Sequence, residues 1–248
     1  MLELFWRVLH SEWTKQGTWK WLIFVEKELL HMSEFPGERE YLNHVAREYE
    51  ESKVPFKIVR ERTALLVVDL QNEFVDPNGK IWIPDATRGM GKVRRLIETC
   101  RELGVPVIYT VHTHNPHVNE VGILFRVDPY KRLEEGTWGA EIYPEIAPKP
   151  EEKVVRKHRY SAFYQSDLDL VLRCLGKDTT IICGVMTNLC CECTAQDALA
   201  RDYRVVFGSD LNFTDHAEIH ANVLRTIRRK VGRVLSCDEI IKILKEGE

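Results

Sequence analysis

The chain has 248 residues, enough for one large domain, or a domain with an appendage, that buries a sizeable core. Hydrophobic residues make up 44% and charged residues 29%, the balance expected of a soluble globular protein, and a net charge of -3 gives no electrostatic case for a nucleic-acid partner. No apolar stretch has the length of a membrane span, and seven cysteines, odd in number and unevenly spread, fit free thiols in a reducing cytoplasm.

The N-terminus reads MLELFWRVLHSEW. Glu3, Arg7 and Glu12 interrupt it, so it lacks the continuous apolar core of a signal peptide. Residues 1–50 hold four of the six tryptophans, Trp6, Trp13, Trp19 and Trp21. Leu2, Trp6, Leu9 and Trp13 recur at helical spacing. The expectation is a helical N-terminal extension over 1–58, ahead of a domain over 59–248. So much apolar surface predicts either packing on the chain's own core or a contact with another subunit, against which it packs or whose active site it lids; a homo-oligomer is expected.

From Thr63 onward, short apolar runs alternate with helical stretches. ALLVVD (64–69) is a β-branched run that fits a strand buried on both faces. A helix follows at about 90–103 and closes at Gly104. VPVIYTVH (105–112) is the second strand, and 113–151 is irregular. KVVRK (153–157) is the third strand, followed by a helix over 166–175. TTIICG (179–184) is the fourth strand, followed by a helix over 188–201. YRVVFGSD (203–210) is the fifth strand, followed by a helix over 215–230. GRVLS (232–236) is the sixth, with Ser236 placed to cap a last helix. This alternation predicts an α/β fold with a mainly parallel, roughly six-stranded sheet between helical layers. Ligands of such sheets bind beyond the carboxyl ends of the strands, which here carry Asp69, His112, Lys157 and the 184–190 turn.

"GVMTNLCCECTAQDA" (184–198) packs Cys190, Cys191 and Cys193 into four positions. Cys190 and Cys193 form a C-x-x-C, but a zinc site needs a second ligand pair and none is nearby. A redox pair of this kind belongs after an early strand, not after the fourth. Buried, inert thiols suit two of the three. Cys190, at the first turn of its predicted helix, meets free backbone N–H groups that favour a thiolate and can hold an oxyanion. A nucleophilic thiol needs a base, and no Cys-His pairing is evident; His216 and His220 sit on a later helix and read as surface residues. A carboxylate can serve as base and a lysine can hold it ionised. Asp69 and Lys157 end strands at the same edge of the sheet.

These residues resemble the isochorismatase-like cysteine hydrolases over about 60–245. "LLVVDLQNEF" (65–74) is similar to that family's first strand and its acidic residue, giving Asp69. "KHRYSAF" (157–163) is similar to the segment with its lysine, giving Lys157. "GVMTNLCCECTAQDA" is similar to its nucleophile signature, giving Cys190, with a departure at Cys191, where the family usually has an aliphatic residue. The resemblance implies a three-layer α/β fold and often a cis peptide at Val185–Met186. It also implies cleavage of small C–N amides through a thioester-like intermediate, with no cofactor. Asn72, Phe74, His114 and Phe163 would flank the pocket, and Met186 and Thr187 would lie in the turn facing the substrate oxygen.

Nicotinamidases of this family bind a metal through Asp-x-His and a later His. Here "YTVHTHNPH" (109–117) offers His112 and His114 without the Asp, so no metal is expected. The expected substrate is a small linear ureide or carbamoyl amide. A nicotinamidase, an isochorismatase-type hydrolase and a catalytically silent binding protein on the same fold are the alternatives.

Overall fold

A computed structural model describes residues 54–118, 120–124 and 133–248. The chain divides into two units, Met1–Glu48 and Tyr49–Glu248, and everything below belongs to the second. The expected helical extension lies outside the described residues, except for 54–58. That short stretch has no regular structure, and Ile58 is buried in the core.

Six parallel strands form one sheet: β1 (Thr63–Val68), β2 (Val107–His112), β3 (Lys153–Lys157), β4 (Thr179–Val185), β5 (Arg204–Phe213) and β6 (Gly232–Leu235). Their order is β3-β2-β1-β4-β5-β6. All six residues of β1 are buried, as a strand covered on both faces must be. Its side chains alternate between two cores. Leu65 and Val67 join one with α2 (Pro84–Glu102) and α6 (Cys237–Glu246). Ala64, Leu66 and Val68 join the other with α3 (Leu168–Cys174), α4 (Glu192–Leu199) and α5 (Ala217–Thr226). The result is the three-layer α/β sandwich that the alternation predicts. The short α1 (Asn72–Val75) follows β1 directly. Among the described residues, no helix is long and apolar enough to cross a membrane.

Three local expectations shift. Helix α2 starts at Pro84, not near 90, with proline at its first position, where the missing N–H costs nothing. Gly89 makes the start look weak by propensity, but a Cβ there would lie 2.3 Å from the Phe213 ring, so the glycine serves close packing. Strand β5 runs on to Phe213 through an irregularity opposite Ile182 and Gly184, where the Asn212 amide donates to Ile182 O (2.9 Å) and Gly208 O (2.7 Å). The helix expected over 188–201 begins as a π-helical turn, Thr187–Cys191, before α4. Ser236 caps α6 as predicted, in a full capping box with Glu239.

The order of the strands fixes where ligands bind. The chain steps outward from β1 on one side and from β4 on the other, so the switch point is the crevice at the carboxyl ends of β1 and β4. Gly184 makes that junction tight. It has φ +142°, and a Cβ would lie 2.0 Å from the Val68 carbonyl oxygen. Gly184→Ala is therefore expected to destabilise the protein by about 3 kcal/mol or more. Denaturant unfolding checks this, and a loss under about 1 kcal/mol would contradict the packing described.

Candidate active site

Each of the first four strands delivers a polar group to the same end of the sheet. Asp69 follows β1 in a left-handed conformation (φ +52°) that an aspartate tolerates and that turns the chain out of the strand. Its carboxylate Oδ1 accepts from Thr110 Oγ1 on β2 (2.6 Å), and its Oδ2 lies 2.6 Å from Lys157 Nζ at the end of β3. That ion pair leaves Oδ2 with no aligned hydrogen-bond donor of its own. Lys157 is fully buried, a position lysine rarely takes without partners. Its ammonium has three: Asp69 Oδ2, the Arg159 carbonyl oxygen (3.0 Å) and Cys190 Sγ (3.3 Å). Two of these contacts are hydrogen bonds and the third is the ion pair.

Cys190 is held from the β4 side. The peptide Val185–Met186 is cis, as the resemblance implies. The π-helical turn then closes with Cys191 N–H donating to Met186 O (3.1 Å). π-turns often mark functional positions because they push one side chain out of the regular helical row. Thr187 Oγ1 bonds His220 Nδ1 (3.0 Å), and His220 Nε2 lies 3.0 Å from the Ser209 carbonyl oxygen. A carbonyl oxygen can only accept, so Nε2 carries a proton, and in the neutral ring Nδ1 accepts from the threonine. His220, expected at the surface, is instead a half-buried strut between β5 and the nucleophile's turn.

The electrostatics of the trio follow from burial. Burial pushes the Cys190 thiol pKa well up, Lys157 pulls it down, and Asp69 pushes it up again. Burial opposes charge on Lys157, yet Asp69 and Cys190 together hold its pKa above the ordinary value. The resting site is a neutral thiol beside a carboxylate–ammonium pair. Cys191 is fully buried and its thiol is raised further by burial, and the half-buried Cys193 is raised by burial too, so only Cys190 has an activating partner of opposite charge in contact.

Asn72, Phe74 and Phe163, expected to flank the pocket, sit in different surroundings. Phe74 and Phe163 belong to opposite cores, separated by the sheet. The Phe163 ring packs on Tyr203 (5.6 Å) under the Arg201 guanidinium. Asn72 Nδ2 donates to Trp138 O (2.8 Å) while its Oδ1 is buried without a partner. Met186 is half-buried and packs against the first core. His114 stands edge-on to His112, with ring centroids 4.9 Å apart.

His112, which the sequence places at the ligand-binding end of β2 without giving it a role, is a close neighbour of the trio. It pairs in register with Lys157, and one of its ring nitrogens lies within 4.8 Å of both an Asp69 oxygen and Cys190 Sγ. Its position as the last residue of β2 was the available signal. Burial first, then Lys157, holds its pKa well below the ordinary value, so the ring is neutral at pH 7.

Among the described residues, the group of three ligand-type side chains close enough to share a cation is Asp69, His112 and Cys190. Two of these three already contact the Lys157 ammonium, which an ion would have to displace. His114 is not one of the three. These residues do not fit the Asp-x-His metal centre.

A buried acid–lysine–cysteine trio thus lies at the switch point of a parallel α/β sheet. Residues 63–239 match the isochorismatase domain, and the chain belongs to that family, whose amidase members act on C–N bonds. It is 34% identical to nicotinamidase 3 of Arabidopsis thaliana over 184 residues, 73% of this chain and 88% of that one. It is 30% identical to ureidoacrylate amidohydrolase RutB of Azorhizobium caulinodans over 170 residues, 60% of this chain and 75% of that one. A crystal structure of a cysteine hydrolase from Pseudomonas syringae pv. phaseolicola superposes with a TM-score of 0.77 at 29% identity, covering 80% of this chain and 99% of that one.

Two outcomes follow from the geometry. Lys157→Met strands a buried carboxylate and is expected to cost about 3–5 kcal/mol in denaturant unfolding, part of which Asp69→Asn in the same chain should restore. Equal stability of Lys157→Met and the wild type would mean that the pair is not buried as described. The lowered pKa of His112 makes stability fall on acidification, because below about pH 6.5 the unfolded chain takes up a proton that the folded ring refuses. His112→Phe is expected to flatten that fall by up to about 1.4 kcal/mol per pH unit. Unfolding curves between pH 5 and 7.5 read the difference.

Proposed function

We propose that the protein is a cysteine-dependent amidohydrolase of a small linear ureide or carbamoyl amide. The observation that carries this reading is the single ammonium of Lys157, in contact with both the Asp69 carboxylate and the Cys190 sulfur in a buried site.

Asp69 takes the proton of the Cys190 thiol as sulfur bonds to the substrate carbonyl carbon. The carbonyl electron pair moves onto oxygen, where Lys157 and backbone N–H groups of the turn around Met186 and Cys190 stabilise it. The pair returns, the C–N bond breaks, and the departing nitrogen takes the proton from Asp69, leaving as ammonia or an amine. A thioester on Cys190 remains. Water then attacks it as Asp69 removes a proton; the C–S bond breaks and sulfur recovers that proton. The net change is amide plus water to acid plus amine.

Ureides are favoured over nicotinamide because the described donor set does not complete the Asp-x-His metal centre. The similarity to the RutB enzyme, named for ureidoacrylate, supports the same choice. Nicotinamide is the second reading, and the 34% identity to nicotinamidase 3 is what favours it.

Ammonia release and kcat/KM for biuret, ureidoacrylate, an N-carbamoyl amino acid and nicotinamide, with and without chelator, decide between them. A ureide should lead and chelator should change nothing. Nicotinamide leading, with activity lost to chelator, would overturn the assignment. Cys190→Ala should lower turnover by at least about 10⁴-fold, while Cys191→Ala and Cys193→Ala retain most of it. Equal losses in all three folded variants would rule out a single nucleophile.

A further inference from the structure

His112 and His114 form a second constellation beside the nucleophile that the hydrolytic steps do not use. Their backbones are fully engaged. The Gln71 amide donates to His112 O (3.0 Å) and accepts from His112 N–H (2.9 Å). His114 N–H donates to Leu133 O (3.0 Å), and His114 O accepts from Glu135 N–H (2.9 Å). The rings are not so provided for. Among the described residues, His112 Nε2 and His114 Nδ1 are both buried with no hydrogen-bond partner, and the two residues are only 5% and 6% exposed. Two orphaned ring nitrogens in one contacting pair are unusual, since a buried polar atom without a partner costs free energy that a ligand can recover.

We infer that His112 and His114 are a substrate-reading pair, hydrogen-bonding the part of a planar ureide beyond the scissile carbonyl. A neutral imidazole nitrogen donates or accepts according to its tautomer, so two of them can meet both the C=O and the N–H of a second urea-like unit. Simple amides lack that unit. Burial lowers the pKa of both rings, which keeps one nitrogen of each free to accept. A cation between the two rings is the competing occupant, but among the described residues no third ligand completes such a site with His114. The inference rests on the amidohydrolase reading for the kind of ligand, and not for the existence of the two unpartnered nitrogens.

The test is binding to a protein that cannot turn over. Calorimetric titration of Cys190→Ser with biuret, and with acetamide as the amide lacking a second unit, gives the reference affinities. In that background, His112→Phe and His114→Phe should each weaken biuret binding about tenfold and leave acetamide unchanged, while the Asn variants recover part of the loss. With ¹⁵N-histidine labelling, biuret should shift the signals of His112 Nε2 and His114 Nδ1 in the Cys190→Ser protein, a readout that needs no histidine variant to fold. Absence of biuret binding, an unchanged affinity in both folded Phe variants, or unshifted nitrogens would each overturn the inference. Stoichiometric zinc binding that both Phe variants abolish would assign the pair to a metal instead. Wild-type turnover of a ureide without histidine-dependent binding would sink this inference alone. Histidine-dependent binding without wild-type turnover would sink the hydrolase reading alone.

Discussion

The structure depends on one buried ion pair. Lys157 and Asp69 are both shielded from water, and desolvating two such charges costs several kcal/mol per ion unless geometry repays it. Repayment here requires three strands in register. Asp69 leaves β1, its Oδ1 is held by Thr110 of β2, and Lys157 ends β3, two strands away from β1. A long side chain is needed to cross β2 and reach the β1 end. The third donor of the ammonium then falls on Cys190, delivered by β4 from the other side. The thiol thus completes the solvation of the lysine, and the chemistry comes from a group that the ion pair already needs.

This dependence gives a reason for the dense contacts around the turn that carries Cys190. A thiol that serves as a buried cation's ligand cannot drift by an ångström without leaving the ammonium short of a partner. Gly184 allows β4 to approach Val68 closely, His220 ties Thr187 to β5, and Thr214 donates to Asn188 Oδ1 (2.7 Å) within the same turn. Each helps to fix the position of Cys190.

Much of this was legible in the sequence. The buried runs of β1 and β4, the ends of β2 and β3, and Asp69, Lys157 and Cys190 stand out because strand burial and strand-end chemistry are local properties. Three things were not legible, each for a nonlocal reason. The start of α2 at Pro84 was missed, and Gly89 within it makes room for a Phe213 ring that comes 124 residues later. His220 looked exposed because its acceptor and donor lie on two other elements. Phe74 and Phe163 belong to opposite cores, and motif proximity does not reveal which side of the sheet a ring enters. His112 was visible as a strand end, but only the register with Lys157 shows that it stands beside the trio.

That register bears on the charge balance of the site. The described trio carries one carboxylate, one ammonium and one neutral thiol, so it is electrically closed without further help. An aspartate in place of His112 would bring a second carboxylate beside Asp69 with only Lys157 to answer it, and like charges that close cannot both stay ionised without another cation. A neutral imidazole adds polarity without adding charge. The histidine at the end of β2 is therefore compatible with a site whose lysine remains its resident cation.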